Sequence, residues 1–409
     1  MSALKYWLWL SAAADVSPKA KAALISHFGD PEAVFFAPDE DIRRVNGISR
    51  RESDILLRRD LSRAGQIESD CGVHYIDIIT MQDVRYPERL RNIFAPPVVI
   101  YAKGRNINID EEPLIAVVGT RKATHYGIKM ADALGRDIAR CGGGIVNGLS
   151  EGIDFTAMSS AIREGGTCVG VLATPLDKLS GEVLMDLVYD GMLISEYPPG
   201  TKPLRSFFRD RNRISSALSV GAVAVEAPEK SGTLLFMAEA LEQGKEIFAV
   251  PGNADASMSF GTNEILKHGG KPVTCGWDVM CEFEDIFPQK VHLPTEPLPD
   301  VKAHIREKPE DAGEKDGNLP DEKPKEDKKV IDKENDKEYI DLRSQLSNLS
   351  EKQLQIINAI EKDCTHMDEI AEKTALPIRE VLTNVTIMCV KGVLKKLPGN
   401  RVALNLAKK

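Results

Sequence analysis

The chain has 409 residues, of which 42% are hydrophobic and 28% charged, and its 53 Lys/Arg against 62 Asp/Glu give a net charge of −9. This length predicts two or three domains rather than a single core. The negative balance excludes a protein that coats polyanions with its entire surface, so a polyanion site has to be a local patch or cleft. The sequence has no apolar run long enough to span a bilayer.

Seven cysteines are scattered without a CxxC pair, which indicates reduced thiols and a cytoplasmic location. No histidines stand at metal-ligand spacing, so we expect no metal site. The opening segment "MSALKYWLWLSAAADVS" faintly resembles a secretory signal. Its apolar core is short and the helical pattern continues beyond it, so we expect it to be the first helix of a small domain.

Residues 1–72 read as short helices, because apolar residues recur at three-to-four spacing between breaks such as Gly29-Asp30-Pro31 and Asn46-Gly47. This pattern predicts a small helical domain resembling a SAM or helix-hairpin-helix module. The hairpin "VNGIS" could offer backbone N–H groups to a phosphate. A packing role without DNA contact is the alternative, and it is the one we expect.

Residues 73–287 begin with a connector of strand character and continue as strand-length apolar runs that alternate with amphipathic helices ending in glycine. The runs are "LIAVVG", "GGIVNG", "CVGVLA", "MLISEY", "GAVAVEA" and "EIFAVPG". Such alternation predicts an α/β domain with a Rossmann-like parallel sheet and helices on both faces.

Residues 288–345 are expected to be a flexible linker, because 301–340 contain 10 Lys/Arg and 13 Asp/Glu with few apolar residues. Residues 346–409 show three helices and a hairpin at Pro398-Gly399-Asn400, which predicts a winged helix. Its third helix carries only Arg379 and Lys391 as basic residues. We therefore expect protein–protein contact there rather than duplex DNA binding.

The turns after the strands of the central sheet are rich in glycine, hydroxyls and arginine, and parallel topology places them at one edge. Glycine lets backbone N–H groups approach an oxyanion, and arginine makes bidentate phosphate contacts. We therefore predict a site for a phosphate-rich ligand. The candidate residues are Gly119, Thr120, Arg121, Phe208, Arg209, Arg211, Asn212, Arg213, Ser231, Gly232 and Thr233.

The stretch "FFRDRNR" combines aromatic rings with arginines, the combination that grips single-stranded nucleic acid without reading its sequence. The alternative is that one phenylalanine is core and that Arg211 or Arg213 pairs with an internal carboxylate such as Asp210 or Glu226. We expect this alternative to hold for at least one of these residues. Neither a GxGxxG nor a GxxxxGK[ST] motif occurs, and no catalytic constellation stands out.

The sequence resembles the family of DNA-processing protein A, DprA or Smf. The motifs that carry the resemblance run in order through about 300 residues: "GTR", "GLSEGID", "LISEYPPGTKP", "FFRDRNRISSALS", "VEAPEKSGT", "FAVPGN" and "GTNEILKHGG". The resemblance implies a cytoplasmic homodimer that binds single-stranded DNA and helps to load the RecA recombinase during recombination or natural transformation.

Carried over to this chain, the resemblance implies phosphate contacts by Arg121, Arg211, Asn212 and Arg213, with Phe208 as the stacking ring. Residues 231–233 would close the pocket floor. The chain departs from the family pattern at Met158, where a histidine is usual, and in the eroded stretch "ATPLDKLSGEVL". These departures leave the residues expected to contact phosphates unchanged. They alter the loop beside them, so the resemblance supports DNA binding more strongly than it supports an interaction with RecA.

Two other functions remain as alternatives. A nucleotide phosphoribohydrolase of the lysine-decarboxylase-like family would need a glutamate where Phe236 stands, and Glu239 follows only one turn later. A winged-helix transcription regulator would bind duplex DNA tightly through residues 347–409 alone. We expect the chain to bind DNA and not to be an enzyme.

Overall fold

The computed structural model of the protein describes residues 3–179, 182–294, 350–360, 365–390, 393–397 and 401–404. Contacts divide the chain into two compact units, Met1–Pro294 and Thr295–Lys409. Most of the charged linker expected at 288–345 lies outside the described residues.

The first unit opens with short helices, as the sequence predicts. They are α1 (Leu4–Ala12), α2 (Pro18–Phe28), α3 (Pro31–Phe36), α4 (Asp39–Arg44), α5 (Arg50–Leu56) and α6 (Ser62–Val73). Ser17 and Asp30 cap α2 and α3, each accepting a backbone N–H and each followed by a proline at the first helical position. Helix α1 is buried along Tyr6–Ser11, which its apolar sequence requires.

The strands and helices of the sheet region then alternate along the chain. They are β1 (Asp77–Thr80), α7 (Glu88–Arg91), β2 (Val99–Gly104), β3 (Leu114–Val118), α8 (His125–Arg140), β4 (Gly144–Asn147), α9 (Ile153–Arg163), β5 (Thr167–Leu172), α10 (Glu182–Asp190), β6 (Met192–Ser195), α11 (Arg205–Leu218), β7 (Gly221–Ala224), α12 (Gly232–Glu242), β8 (Glu246–Ala249), α13 (Phe260–Lys267), β9 (Lys271–Pro272) and α14 (Trp277–Met280).

Among the described residues, nine strands form one sheet in the order β1-β2-β6-β5-β4-β3-β7-β8-β9. The strands from β6 to β9 are parallel, and one hydrophobic cluster packs α8 and α9 on one face while another packs α11 and α12 on the other. The Rossmann-like prediction is confirmed. The sheet is mixed rather than all parallel, because β2 pairs antiparallel with β6 and β1 with β2.

The N-terminal helices share a core with the sheet. A single hydrophobic cluster contains Trp7 and Leu10 of α1 together with Tyr101 of β2 and Ile115 of β3. The Ser11 hydroxyl also lies 2.9 Å from the buried Tyr101 hydroxyl. Whether residues 1–72 fold as an independent domain stays a prediction, but in this structure they belong to the same compact unit as the sheet.

The start of the expected linker packs on the sheet unit. Val291 is buried, the His292 amide donates to the Cys141 carbonyl at 3.1 Å, and Lys290 pairs with Glu112 at 2.6 Å. Described residues beyond Phe287 therefore still belong to the body of the first unit up to about His292.

The described part of the second unit contains α15 (Glu351–Ala359), β10 (Thr365–His366), α16 (Met367–Thr374), α17 (Ile378–Val390), β11 (Leu394–Leu397) and β12 (Arg401–Leu404). The three strands pair in the order β10-β12-β11. Ile356, Ile370 and Val385, one from each helix, meet in one core. Three helices and the antiparallel pair β11–β12 form the winged helix that the sequence predicts, and the turn expected at Pro398-Gly399-Asn400 lies outside the described residues.

Candidate nucleic-acid interface

The turn after β3 begins the candidate site, at the point where the strand order reverses between β4 and β7. Buried Glu226, just beyond β7, organises this turn, because its carboxylate accepts the Thr124 amide at 2.9 Å and the Thr124 hydroxyl. Thr124 in turn caps α8 by accepting the Gly127 amide at 3.1 Å. A Cβ at Gly127 would lie 2.3 Å from the Glu226 carboxylate, so only glycine fits there. Glu226 is thus a structural carboxylate.

The turn after β4 interlocks with the turn after β3. Gly152 has φ +84° and a Cβ there would lie 2.5 Å from the Thr120 carbonyl, which also accepts the Ile153 amide at 3.4 Å. Leu149 takes φ +54°, and its amide donates to the Asn147 side chain at 3.0 Å. These contacts fix both loops as one rigid rim, which lowers the entropy cost of ordering them around a ligand.

Asp154, at the start of α9, is buried and accepts the Gly119 amide at 3.1 Å. Burial raises the pKa of Asp154 to about 6, although the positive charges of Arg211 and Arg121 oppose the rise. The Arg211 side chain is 6% exposed, donates to the Val171 carbonyl at 3.1 Å and crosses directly over Gly148. Burial lowers the pKa of this guanidinium. Arg211 therefore forms the inner wall of the rim.

Arg213 points into the interior and pairs with Glu196, just beyond β6. Its Nη2 lies 2.6 and 2.8 Å from the two carboxylate oxygens. Buried Lys21 of α2 donates to the Ser11 carbonyl at 3.0 Å and interacts electrostatically with Glu196 and Arg213. Burial lowers the pKa of Lys21 to about 8. Lys21 of the N-terminal helices thus lies close enough to the Glu196–Arg213 pair to interact with it electrostatically.

The exposed part of the site is formed by the first turn of α11 and by Arg121. The Arg121 guanidinium lies 5.7 Å from the ring centroid of Phe208, which is 43% exposed, in a cation–π arrangement. Phe207 is core and stacks on Tyr197 at 3.8 Å between centroids. Arg209 is exposed, and within the described residues no carboxylate lies at ion-pair distance from Arg121 or Arg209.

The segment 231–233 starts α12 after β7. Gly232 is exposed with open space around its Cα, Thr233 is buried, and the Ser231 hydroxyl is buried without a hydrogen-bond partner among the residues described. The first turn of an α-helix carries unpaired N–H groups and a positive partial charge, which suit an anion.

The structure brings most of the candidate residues to one edge of the sheet, but they differ in their exposure to solvent. Arg121, Phe208 and Arg209 are exposed, Gly119, Thr120, Asn212 and Ser231 are half-buried, and Arg211 and Arg213 are buried. The expected alternative therefore describes Phe207 and Arg213 correctly, with one difference: Arg213 pairs with Glu196, not with Asp210 or Glu226. Direct phosphate contact by Arg213 would require it to leave this pair.

Sequence reasoning did not identify Glu196 or Lys21 as part of this region. Glu196 stands inside the quoted motif "LISEYPPGTKP", so a buried arginine in the next helix could have pointed to it. Lys21 belongs to an exposed-looking helix, and the sequence carries no signal that it reaches the sheet.

The hairpin "VNGIS" is closed by a side chain of its own helix. Glu52 accepts the Ser49 amide and hydroxyl at 2.8 and 2.6 Å and also the Ser17 amide and hydroxyl at 2.9 and 2.6 Å. These bonds lower the pKa of Glu52, although partial burial acts in the opposite direction. The Ser49 amide and hydroxyl are therefore not free to bind a phosphate, which agrees with the packing role expected for this hairpin.

In the winged helix, two polar side chains of α17 bond to their own helix. Asn384 donates to the Glu380 carbonyl at 2.9 Å and Thr386 to the Leu382 carbonyl at 2.8 Å. Lys391 lies outside the described residues. The preference for protein–protein contact over duplex DNA here stays a prediction.

The fold and the site define the class: a Rossmann-like protein with an arginine-bearing rim, followed in sequence by a winged helix, and without the motifs of dinucleotide or NTP enzymes. The family "DNA recombination-mediator protein A" matches residues 77–284, and the "DprA winged helix domain" matches residues 342–400. The chain belongs to the DprA/Smf family of recombination mediators.

Known relatives extend over most of the chain. DNA processing protein DprA of Bacillus subtilis (strain 168) is 37% identical over 228 residues, which cover 54% of this chain and 75% of that protein. Protein Smf of Escherichia coli (strain K12) is 28% identical over 330 residues, covering 79% and 76%. The X-ray structure of DNA processing protein A (DprA) from Streptococcus pneumoniae matches with a TM-score of 0.57 at 28% identity, covering 68% of this chain and 96% of that one.

Family membership favours the recombination mediator over the phosphoribohydrolase. The structure agrees at one position, since Phe236 is buried in the core of the sheet unit where that enzyme would need a glutamate. Within the described ranges, no helix is long and apolar enough to cross a membrane, and no group of side chains could hold a metal ion.

Proposed function

We propose that this rim, which includes Gly119–Arg121, binds the backbone and bases of single-stranded DNA together with the first turn of α11 and residues 231–233. The observation that carries the proposal is the Arg121–Phe208 contact at 5.7 Å, which places an unpaired guanidinium and an exposed ring from two separate elements side by side. Such a pair offers one phosphate contact and one stacking platform without sequence preference.

The buried arginines take different roles in this proposal. Arg211 forms the inner wall and adds positive potential to the rim through its proximity to Arg121, while Arg213 holds α11 in place. Arg209 and Asn212 are available for the strand from the same helix, and the start of α12 receives a phosphate on backbone N–H groups.

The proposed cellular role follows from the family: the chain protects single strands and helps to load RecA onto them, as a homodimer, during recombination or natural transformation. We expect no catalytic turnover. Sedimentation would measure the dimer, and RecA filament formation on single-stranded DNA with and without the chain would measure loading.

The direct test is oligo-dT binding by fluorescence anisotropy with Arg121→Ala and Phe208→Ala. Each change is expected to weaken binding, the first with a shallower salt dependence and the second by about 1–3 kcal/mol at unchanged salt slope. Lys267→Ala, on α13, is the surface control, since Lys267 is exposed and pairs with Glu264 of its own helix at 2.6 Å. Parent-like binding by both rim variants would disprove the assignment.

A further inference from the structure

The six arginines between residues 43 and 59 are of two kinds. The first kind is neutralised within the helices, by carboxylates at 2.7, 3.0 and 2.8 Å, in Arg43, Arg44 and Arg59. The second kind comprises Arg50, Arg51 and Arg58, which are exposed and have no carboxylate at ion-pair distance in the part of the chain that the structure describes.

All three unpaired arginines line one groove of about 500 Å³, together with Asp15, Asp54 and Ile55. Of the two carboxylates in this lining, Asp54 is already paired with Arg43 at 2.7 Å, which leaves Asp15 to balance the three guanidinium groups. The groove thus concentrates positive charge in a chain of net charge −9. A concave surface of this kind focuses positive potential and attracts a polyanion.

The groove is held in a fixed position relative to the rim. Glu52 of α5 binds Ser17 at the start of α2 by two hydrogen bonds, and Lys21, one turn further along α2, interacts with Glu196 and Arg213. A second link runs from Arg63 of α6 to the Pro199 carbonyl, in the loop between β6 and α11. The N-terminal helices are therefore anchored beside the loop that leads into the rim.

We infer that the groove of Arg50, Arg51 and Arg58 binds the phosphodiester backbone of the same single strand where it extends beyond the rim. The inference rests on the proposed function of the rim. It assigns the groove a length-dependent role: a short oligonucleotide fills the rim alone, whereas a longer one also reaches the groove.

The test compares Arg50→Gln/Arg51→Gln/Arg58→Gln with the parent on oligo-dT of about 6 and about 30 nucleotides, lengths that bracket common single-strand site sizes. We expect unchanged affinity for the short strand. For the long strand, loss of three phosphate contacts flattens the slope of log affinity against log salt by about 2, so that raising salt from about 50 to about 200 mM weakens the parent about 20-fold more than the variant.

The control removes the same formal charge at the opposite edge of the sheet, with Arg136→Gln/Arg140→Gln/Arg163→Gln in α8 and α9. These three arginines are paired with Asp132 and Glu164, so thermal melting first checks that the control variant is folded. Equal losses in control and test variants would overturn the inference in favour of a general charge effect. Parent-like binding of the long strand by a normally melting test variant would also overturn it. Failure of the parent to bind the short strand would instead refute the proposed function of the rim.

Discussion

Substitution of Arg213 tests whether this residue stabilises the fold or binds DNA. The resemblance to the family predicts that Arg213 contacts a phosphate, whereas its buried position in the structure predicts a structural role. Its side chain and that of Glu196 are 9% and 11% exposed, and their ion pair is 2.6 Å long. Removing one partner of a buried pair costs about 3–5 kcal/mol, since the other charge is left uncompensated. Arg213→Ala leaves Glu196 with Lys21 still nearby, so we expect a loss of about 3 kcal/mol in the free energy of unfolding.

Glu196→Ala is expected to destabilise the fold more than Arg213→Ala does. It removes the carboxylate that compensates the charges of Arg213 and Lys21, and the Arg213 Nη1 already lacks a hydrogen-bond partner among the described residues. We expect a loss of about 5 kcal/mol, at the upper end of the range for buried pairs. The double variant should lose less than the sum of the single ones, since removing both charges relieves the unpaired state.

Urea unfolding followed by tryptophan fluorescence measures these losses, and oligo-dT binding at low urea measures the site. The structural role predicts a destabilised Arg213→Ala that, while folded, keeps the parent's salt slope. If Arg213→Ala unfolds like the parent yet binds with a slope shallower by about 0.7, then Arg213 contacts a phosphate and the buried pair does not exist in solution.

Three further predictions concern the rim and the hairpin. Because burial raises the pKa of Asp154 to about 6, the protonated carboxyl stabilises the fold, and this contribution of about 3 kcal/mol is complete below about pH 4 and lost as the pH rises through 6. Urea unfolding at pH 5 and 7.5 spans about half of the loss, so the parent should lose about 1.4 kcal/mol between these two values and Asp154→Asn should not. In Gly148→Ala the new Cβ would lie 1.0 Å from Nη1 of Arg211 and would displace this side chain from the inner wall of the rim, so fluorescence anisotropy should show weaker oligo-dT binding. Gly165→Ala is the control, because there is open space around Gly165, and it should bind normally despite the strained φ of +73° at this position. Glu52→Ala removes four hydrogen bonds at Ser17 and Ser49 and should lower the free energy of unfolding by about 2 kcal/mol. The affinity for short oligo-dT should stay unchanged. A loss of affinity equal to that of a rim variant would contradict the packing role.

The sheet could be predicted from the sequence because its signals are local. Each parallel strand is a short apolar run, such as Leu114–Val118, closed by glycine or polar residues. The antiparallel pairing of β2 with β6 was not predictable in the same way. It joins Tyr101 to Ser195 across more than ninety residues, and no local pattern specifies such a partner.

For the candidate site, the sequence predicts which residues lie at one edge of the sheet but not which of them are buried. Topology alone places Arg121 and Phe208 at one edge, and the structure brings them into contact. The burial of Arg211 and Arg213 depends on contacts that the sequence does not reveal, with the Val171 carbonyl and with Glu196. From the sequence alone, an arginine in a basic motif is therefore interpreted as a ligand contact, and only the structure shows that it has a partner in the interior.

The embedding of Lys21 has a consequence for how this protein can be dissected. A fragment that began after α6 would uncover Tyr101 and leave Glu196 with one neutralising cation instead of two. Its aggregation or loss of DNA affinity would then report an injured scaffold and would say nothing about whether the first 72 residues touch nucleic acid. Point changes on the outer surface of α5 avoid this ambiguity, because they leave the shared interior intact.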